Sequence, residues 1–250
     1  MRSARASLAP RDLMDDARRP GAWDVRIVTL FPEAFPGTLG LSLTGRALKD
    51  GLWTLDTIDL RLFGKGRHRN VDDTPAGGGA GMVLRADVVG PALDRGMQGA
   101  GEDRAAWPLI YLSPRGAPLT QATARRLSQT RGMTLLAGRF EGVDQRVLDH
   151  YAVEEISIGD YVLSGGEIAA QVLIDAALRL RPGVLGNAAS VEEESFSSGL
   201  LEHPQYIQPR DWMGREIPEV LLSGDHGRVA RWRREEAEKV TRQRREDLLG

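Results

Sequence analysis

The 250-residue sequence contains no cysteine, which excludes a disulfide framework, a thiolate nucleophile and any cysteine-based zinc site. Histidine is scarce as well, and His68, His150, His203 and His226 are scattered rather than spaced as metal ligands. No run approaches the roughly 18 uninterrupted apolar residues of a membrane span, and the first residues lack the apolar block of a secretory signal. The expected compartment is therefore cytoplasmic, with no membrane partner. Strong charge of either sign is also absent. A net charge of −2 argues against uniform positive charge but leaves room for the local basic patches that nucleic-acid binding requires. Nearly all the cations are arginine, whose planar fork suits phosphates and guanine edges; a compositional bias gives the same excess without function.

What is present, at 41% hydrophobic residues, is enough apolar surface for a substantial core. Residues Met1 to Ala22 mix arginines and aspartates around few large apolar side chains, and read as a poorly ordered extension. Order is expected from Trp23, with a strand through Val28 that ends at Phe31-Pro32, a helix from Leu41 to Gly51 and a strand from Trp53 to Leu62. A long loop, Gly64 to Met82, follows. Long ordered loops in compact domains tend to be functional. Its basic and imidazole side chains, Arg67 and His68 among them, suit a phosphate backbone, and Asp72 and Asp73 suit a base edge. The competing reading is a solvated loop.

Helical pattern covers Ala86 to Met97 and the stretch from a Thr120 cap to about Thr130. Apolar strands are expected at Pro108 to Leu112, Met133 to Ala137 and Val153 to Ile158. Each ends in an irregular, glycine-bearing loop, at Ser113, Gly138 and Gly159 respectively. In an open parallel sheet the strand C-termini lie along one edge, where ligands bind. The three loops are thus expected to converge on one pocket. The third, Ile158 to Gly166, is a glycine-bent connection into a helix from Ile168 to Arg181; its glycines alone read better as a tight strand-to-helix turn of any α/β protein. After Pro182-Gly183, residues 186–199 read as a linker holding Glu192, Glu193 and Glu194, and 200–250 as a smaller C-terminal domain. Its final helix alternates arginine with glutamate. It suits an RNA backbone or an exposed, self-paired helix equally well.

Taken in order, Leu30-Phe31-Pro32, Arg67-His68-Arg69 with Val71-Asp72-Asp73, Gly77-Gly78-Gly79, Tyr111-Leu112-Ser113-Pro114, Gly138-Arg139-Phe140-Glu141-Gly142, Ile156 to Glu167, Arg181 to Gly186 and Pro218 to His226 resemble the bacterial tRNA (guanine-N1)-methyltransferases of the SPOUT superfamily. The resemblance runs from about Trp23 nearly to the C-terminus. It implies an α/β fold: a parallel-sheet methyltransferase domain over 23–185 with a C-terminal trefoil knot, plus a small, mainly helical tRNA-binding domain. It implies S-adenosyl-L-methionine held by Tyr111, Leu112, Ser113, Gly138, Glu141, Ile158, Gly159, Asp160, Tyr161, Val162, Leu163, Gly165 and Gly166. It also implies substrate contacts by Arg67, His68 and Asp72.

The implied reaction methylates N1 of the guanosine 3′ of the anticodon, position 37, in the tRNA anticodon stem-loop. A carboxylate takes the N1 proton and a guanidinium steadies charge on O6. The matching residues are Glu194, where the family pattern has aspartate, and Arg179, with Glu193 a competitor for the base role. The resemblance further implies a homodimer with composite active sites and a need for Mg2+, whose ligands no residue cluster identifies. Other departures are Ala76 in place of an aromatic residue and Ala80 in place of proline. Rival readings are a SPOUT-fold ribose 2′-O-methyltransferase, an RNA-binding homologue that has lost turnover, and a flavin- or nucleotide-binding α/β protein.

Overall fold

Alternation along the first strand sets the layering. In the computed structural model, which describes residues 19–185, 194–196 and 199–249, Trp23, Val25 and Ile27 enter one buried cluster and Val28 enters another. A strand that is apolar on both faces belongs inside a two-sided sheet. The elements, in order, are β1 (Trp23–Thr29), α1 (Ser42–Lys49), β2 (Trp53–Asp59), β3 (Asp72–Asp73), β4 (Val83–Leu84), α2 (Ala86–Met97), β5 (Leu109–Pro118), α3 (Gln121–Ser128), β6 (Gly132–Leu136), α4 (Gln145–His150), β7 (Glu154–Ser157) and α5 (Gly166–Leu178). Two further strands, β8 (Asp211–Trp212) and β9 (Arg215–Glu216), and two helices, α6 (Glu219–Leu222) and α7 (His226–Arg244), follow among the described residues.

Five strands form one sheet in the order β2-β1-β6-β5-β7, and every pairing in it is parallel. The fold is therefore α/β with a parallel central sheet. One face packs residues of α1, α3 and α5 (Ala47, Leu127, Ala170, Leu173, Ile174 and Ala177) on Ile110, Met133 and Leu135. The other packs Val88, Val89, Ala92 and Leu93 of α2 and Val147 and Leu148 of α4 on Leu109 and Leu136. Buried polar groups between these layers are paired: Trp107 Nε1 donates to Thr134 Oγ1 at 2.9 Å, and that hydroxyl donates to Gly96 O at 2.9 Å. Trp23 Nε1 likewise donates to Thr130 Oγ1 at 3.1 Å.

Several boundaries differ from expectation for identifiable reasons. Before Trp23, Arg19 N donates to Gly51 O at 3.2 Å and Arg181 Nη2 donates to Gly21 O at 3.3 Å, so 19–22 are tied to the first unit. Residues 1–18 of the expected extension lie outside the described residues. Strand β2 stops at Asp59, where the Asp59 carboxylate accepts from Arg61 N and starts a 3-10 turn. Strand β5 does not end at Leu112. It bulges over 113–116 and pairs with β7 a second time at Ala117 and Pro118. In α5 the expected periodic residues Ile168 and Val172 are exposed, at 60% and 43%, while Ala169, Ala170, Leu173 and Ile174 are buried. The helix is apolar on both faces, so periodicity alone does not select the one that meets the sheet.

The chain divides into two units, Met1–Leu185 and Gly186–Gly250. In the second, the β8-β9 hairpin is antiparallel and Asp225 caps α7 by accepting from Arg228 N at 3.0 Å. Trp232 packs edge-on between His203 and Tyr206. Most of the expected linker, 186–193 and 197–198, lies outside the described residues.

Candidate active site

The bulge within β5 and the loops that follow the parallel strands β6 and β7 meet along one edge of the sheet. There they close a single cavity of about 330 Å³, within the range of small-molecule sites. Its lining includes Tyr111, Leu112 and Ser113 from β5, Gly138 and Glu141 after β6, and Ile158, Gly159, Tyr161, Val162, Leu163, Gly165 and Gly166 after β7. Asp160 does not line it. It sits exposed on the outside of a turn in which Tyr161 N donates to Gly159 O at 2.9 Å and Tyr161 Oη donates to Ile158 O at 3.1 Å. Arg115 and Arg139 do line it, and sequence reasoning did not single them out.

Close approach of backbone explains the glycines. Gly166 N donates to Gly138 O at 2.9 Å, and a Cβ on Gly166 would lie 2.8 Å from Ala137 Cα. A Cβ on Gly138 would lie 2.7 Å from Tyr111 Cε2. The Tyr111 ring is thereby held against the Gly138 loop. Burial pushes its hydroxyl pKa above the ordinary 10.0, Glu155 adds to the rise and Arg115 opposes it. Tyr111 is thus a neutral hydrogen-bonding wall near pH 7 rather than a base.

The long loop reaches this site through its far end. Its residues 72–73 pair with 83–84, Leu84 N donates to Gly142 O at 2.9 Å, and Glu141 N donates to Met82 O at 2.9 Å. A Cβ on Gly81 would lie 2.4 Å from Glu141 Cγ, so Gly81, just beyond the glycine cluster, rests on the side chain of the pocket's carboxylate. Arg67 and His68 stand exposed in a turn closed by Lys65 and Asn70, outside the cavity lining, and Asp72 is half-buried outside it too.

Arg179 caps the C-terminal end of α5. Gly166 and Ala169 at the other end line the cavity, and a 13-residue helix separates the two by about 20 Å. Arg179 and the cavity are therefore not brought together within the chain. Glu194 is half-buried in the second unit, whereas Glu193 lies outside the described residues.

Comparison with known proteins assigns the chain to a family. The family model described as tRNA (Guanine-1)-methyltransferase TrmD matches residues 23–250. The chain belongs to this family. Relatives named tRNA (guanine-N(1)-)-methyltransferase include that of Ruegeria pomeroyi, 68% identical over 228 residues that span 91% of this chain and 93% of the relative. That of Cereibacter sphaeroides strain KD131 is 70% identical over 228 residues, 91% and 92% of the two chains. The Brucella ovis protein is 56% identical over 228 residues, again 91% and 92%. The tRNA (Guanine-1)-methyltransferase match begins at the first residue of β1 and takes in all three pocket loops and both units.

Proposed function

We propose that this chain transfers a methyl group from S-adenosyl-L-methionine to N1 of guanosine 37 of tRNA. The observation that carries this is the cavity closed by the β5 bulge and the loops after β6 and β7 in a chain of this family. Its size and composition fit the methyl donor: Leu112, Ile156, Ile158 and Leu163 supply apolar walls for a purine, and the exposed main chain of the glycine loops supplies hydrogen-bonding edges. The donor brings an electrophilic methyl group. The chain's own task is to align guanine N1 with it, remove the N1 proton and steady the charge that grows on O6.

In this reading Glu194 is the general base and Arg179 the O6 partner, Arg67, His68 and Asp72 meet the RNA, and the second unit binds the anticodon stem. The span after β6 carries a trefoil knot. Two observations support a homodimer with composite sites. Arg179 is a helix length from its own cavity, and α5 exposes Ile168 and Val172, a stripe a second copy would cover. Among the described residues no group of three or more His, Asp or Glu side chains is placed to hold a metal ion. No described helix is long and apolar enough to cross a membrane.

Primer extension across an unmodified tRNA after incubation with the protein and donor tests the reading. N1 methylation blocks base pairing and stops the polymerase at guanosine 37; uninterrupted read-through rejects it.

A further inference from the structure

The cavity lining contains two cations, Arg115 and Arg139, and one carboxylate, Glu141. Both cations are neutralised from behind. Arg115 Nη2 lies 3.0 Å from Glu155 Oε1, on the rim. Arg139 Nη2 lies 2.9 Å from Glu167 Oε2, and the Glu167 side chain is only 4% exposed. Glu141 is the one member of the three with no ion-pair partner among the described residues. The lining is left with one uncompensated negative charge.

Glu167 is held for this task. Thr29 Oγ1 donates to its Oε1 at 2.8 Å, fixing the carboxylate from the end of β1. Arg139 lies over the Phe31 ring at 4.3 Å and donates from Nη1 to Ser164 O at 3.1 Å. The carboxylate and guanidinium meet as an ion pair rather than through a directed hydrogen bond, since Glu167 Oε2 and Arg139 Nε are buried without hydrogen-bond partners. A buried charge kept in so poor a hydrogen-bonding arrangement is costly as a purely structural device. Its electrostatic effect is large, because burial weakens screening.

We propose that Glu167 is a positioning and charge-balancing residue that cancels the Arg139 charge and so allows the pocket to accept a sulfonium cation. Without it, a permanent guanidinium charge faces the same cavity as the positively charged donor. The proposal rests on the reading of the cavity as the S-adenosylmethionine seat. It gives the site a preference for the charged donor over S-adenosylhomocysteine, the neutral thioether left after transfer. The two ligands differ only in the methyl group and its charge.

Calorimetric titration of full-length protein with each ligand tests this. Glu167→Gln keeps the shape and the oxygen that accepts from Thr29, and is expected to weaken S-adenosylmethionine about tenfold while S-adenosylhomocysteine changes by less than about twofold. The Arg139→Gln/Glu167→Gln double variant removes both charges and should restore the wild-type ratio of the two affinities. Should Glu167→Gln fail to fold, Glu155→Gln, which unpairs the exposed Arg115 on the rim, shifts the ratio in the same direction by about threefold, an effect that 0.5 M salt abolishes by screening. Equal weakening of both ligands, or an unchanged ratio in the variants that fold, overturns the proposal. A wild-type protein that binds neither ligand overturns the underlying reading of the cavity instead.

Discussion

Replacing Gly166 with alanine probes the closest backbone approach in the site. The new Cβ would lie 2.8 Å from Ala137 Cα, 3.0 Å from Gly138 N and 3.1 Å from Ala137 C. Carbon atoms settle at about 3.5 to 4.0 Å, so the start of α5 must retreat from the end of β6 by roughly 0.7 Å. All three neighbours are main-chain atoms at the end of a buried strand and cannot rotate aside. Overpacking of this kind costs about 1–3 kcal/mol, and the retreat also stretches the Gly166 N to Gly138 O hydrogen bond of 2.9 Å. At about 2 kcal/mol the melting temperature falls by about 4–8 °C, given roughly 2–4 °C per kcal/mol for a chain of this size. Because Gly138 and Gly166 both line the cavity, a distortion worth about 1.4 kcal/mol in the bound state lowers S-adenosylmethionine affinity tenfold. Thermal melting and calorimetric titration measure the two effects. A Gly166→Ala protein that melts and binds like wild type refutes the claim that this contact shapes the pocket.

Other perturbations separate the remaining parts of the account. Glu194→Ala should abolish methyl transfer with S-adenosylmethionine affinity nearly unchanged, while Glu194→Asp keeps measurable turnover; substantial turnover by the alanine variant removes Glu194 as the base. Gly90 lies inside α2, where a Cβ meets Tyr151 Oη at an ordinary 3.5 Å. Gly90→Ala is therefore expected to raise stability by about 0.5–1 kcal/mol in denaturant titration, and a loss of stability contradicts the packing described. Burial and the 2.7 Å hydrogen bond to Asp94 push the Tyr151 hydroxyl up from 10.0 to about 12. The folded protein keeps this proton where the unfolded chain has released it, so the contribution is full below about pH 10 and is lost as pH rises toward 12. The stability advantage of wild type over Tyr151→Phe should shrink across that window, and a constant difference argues against the shift.

Local pattern made the strand-end loops legible. Apolar runs at Met133 and Val153 with glycines just beyond them mark strand ends in any parallel sheet, and the structure gathers those ends on one cavity. The bulge in β5 was not legible, because Ser113 to Gly116 reads locally as a turn. It continues as strand only because β7 offers a second stretch of partner. Nor was the Thr29, Arg139 and Glu167 arrangement, since Thr29 and Glu167 stand 138 residues apart and only tertiary packing joins them. Arg139 carried one available signal, its place beside Gly138 in a loop already suspected. The buried face of α5 was hidden by a helix with apolar residues on both faces, whose outward residues Ile168 and Val172 mimic the inward ones.

The most direct measurement follows the methyl group itself. Unmodified tRNA incubated with the full-length protein and methyl-tritiated S-adenosylmethionine is digested to nucleosides and separated by chromatography. The account predicts that the label co-migrates with 1-methylguanosine and is absent when guanosine 37 is replaced. Label in a ribose 2′-O-methyl nucleoside, or none in any nucleoside, contradicts it.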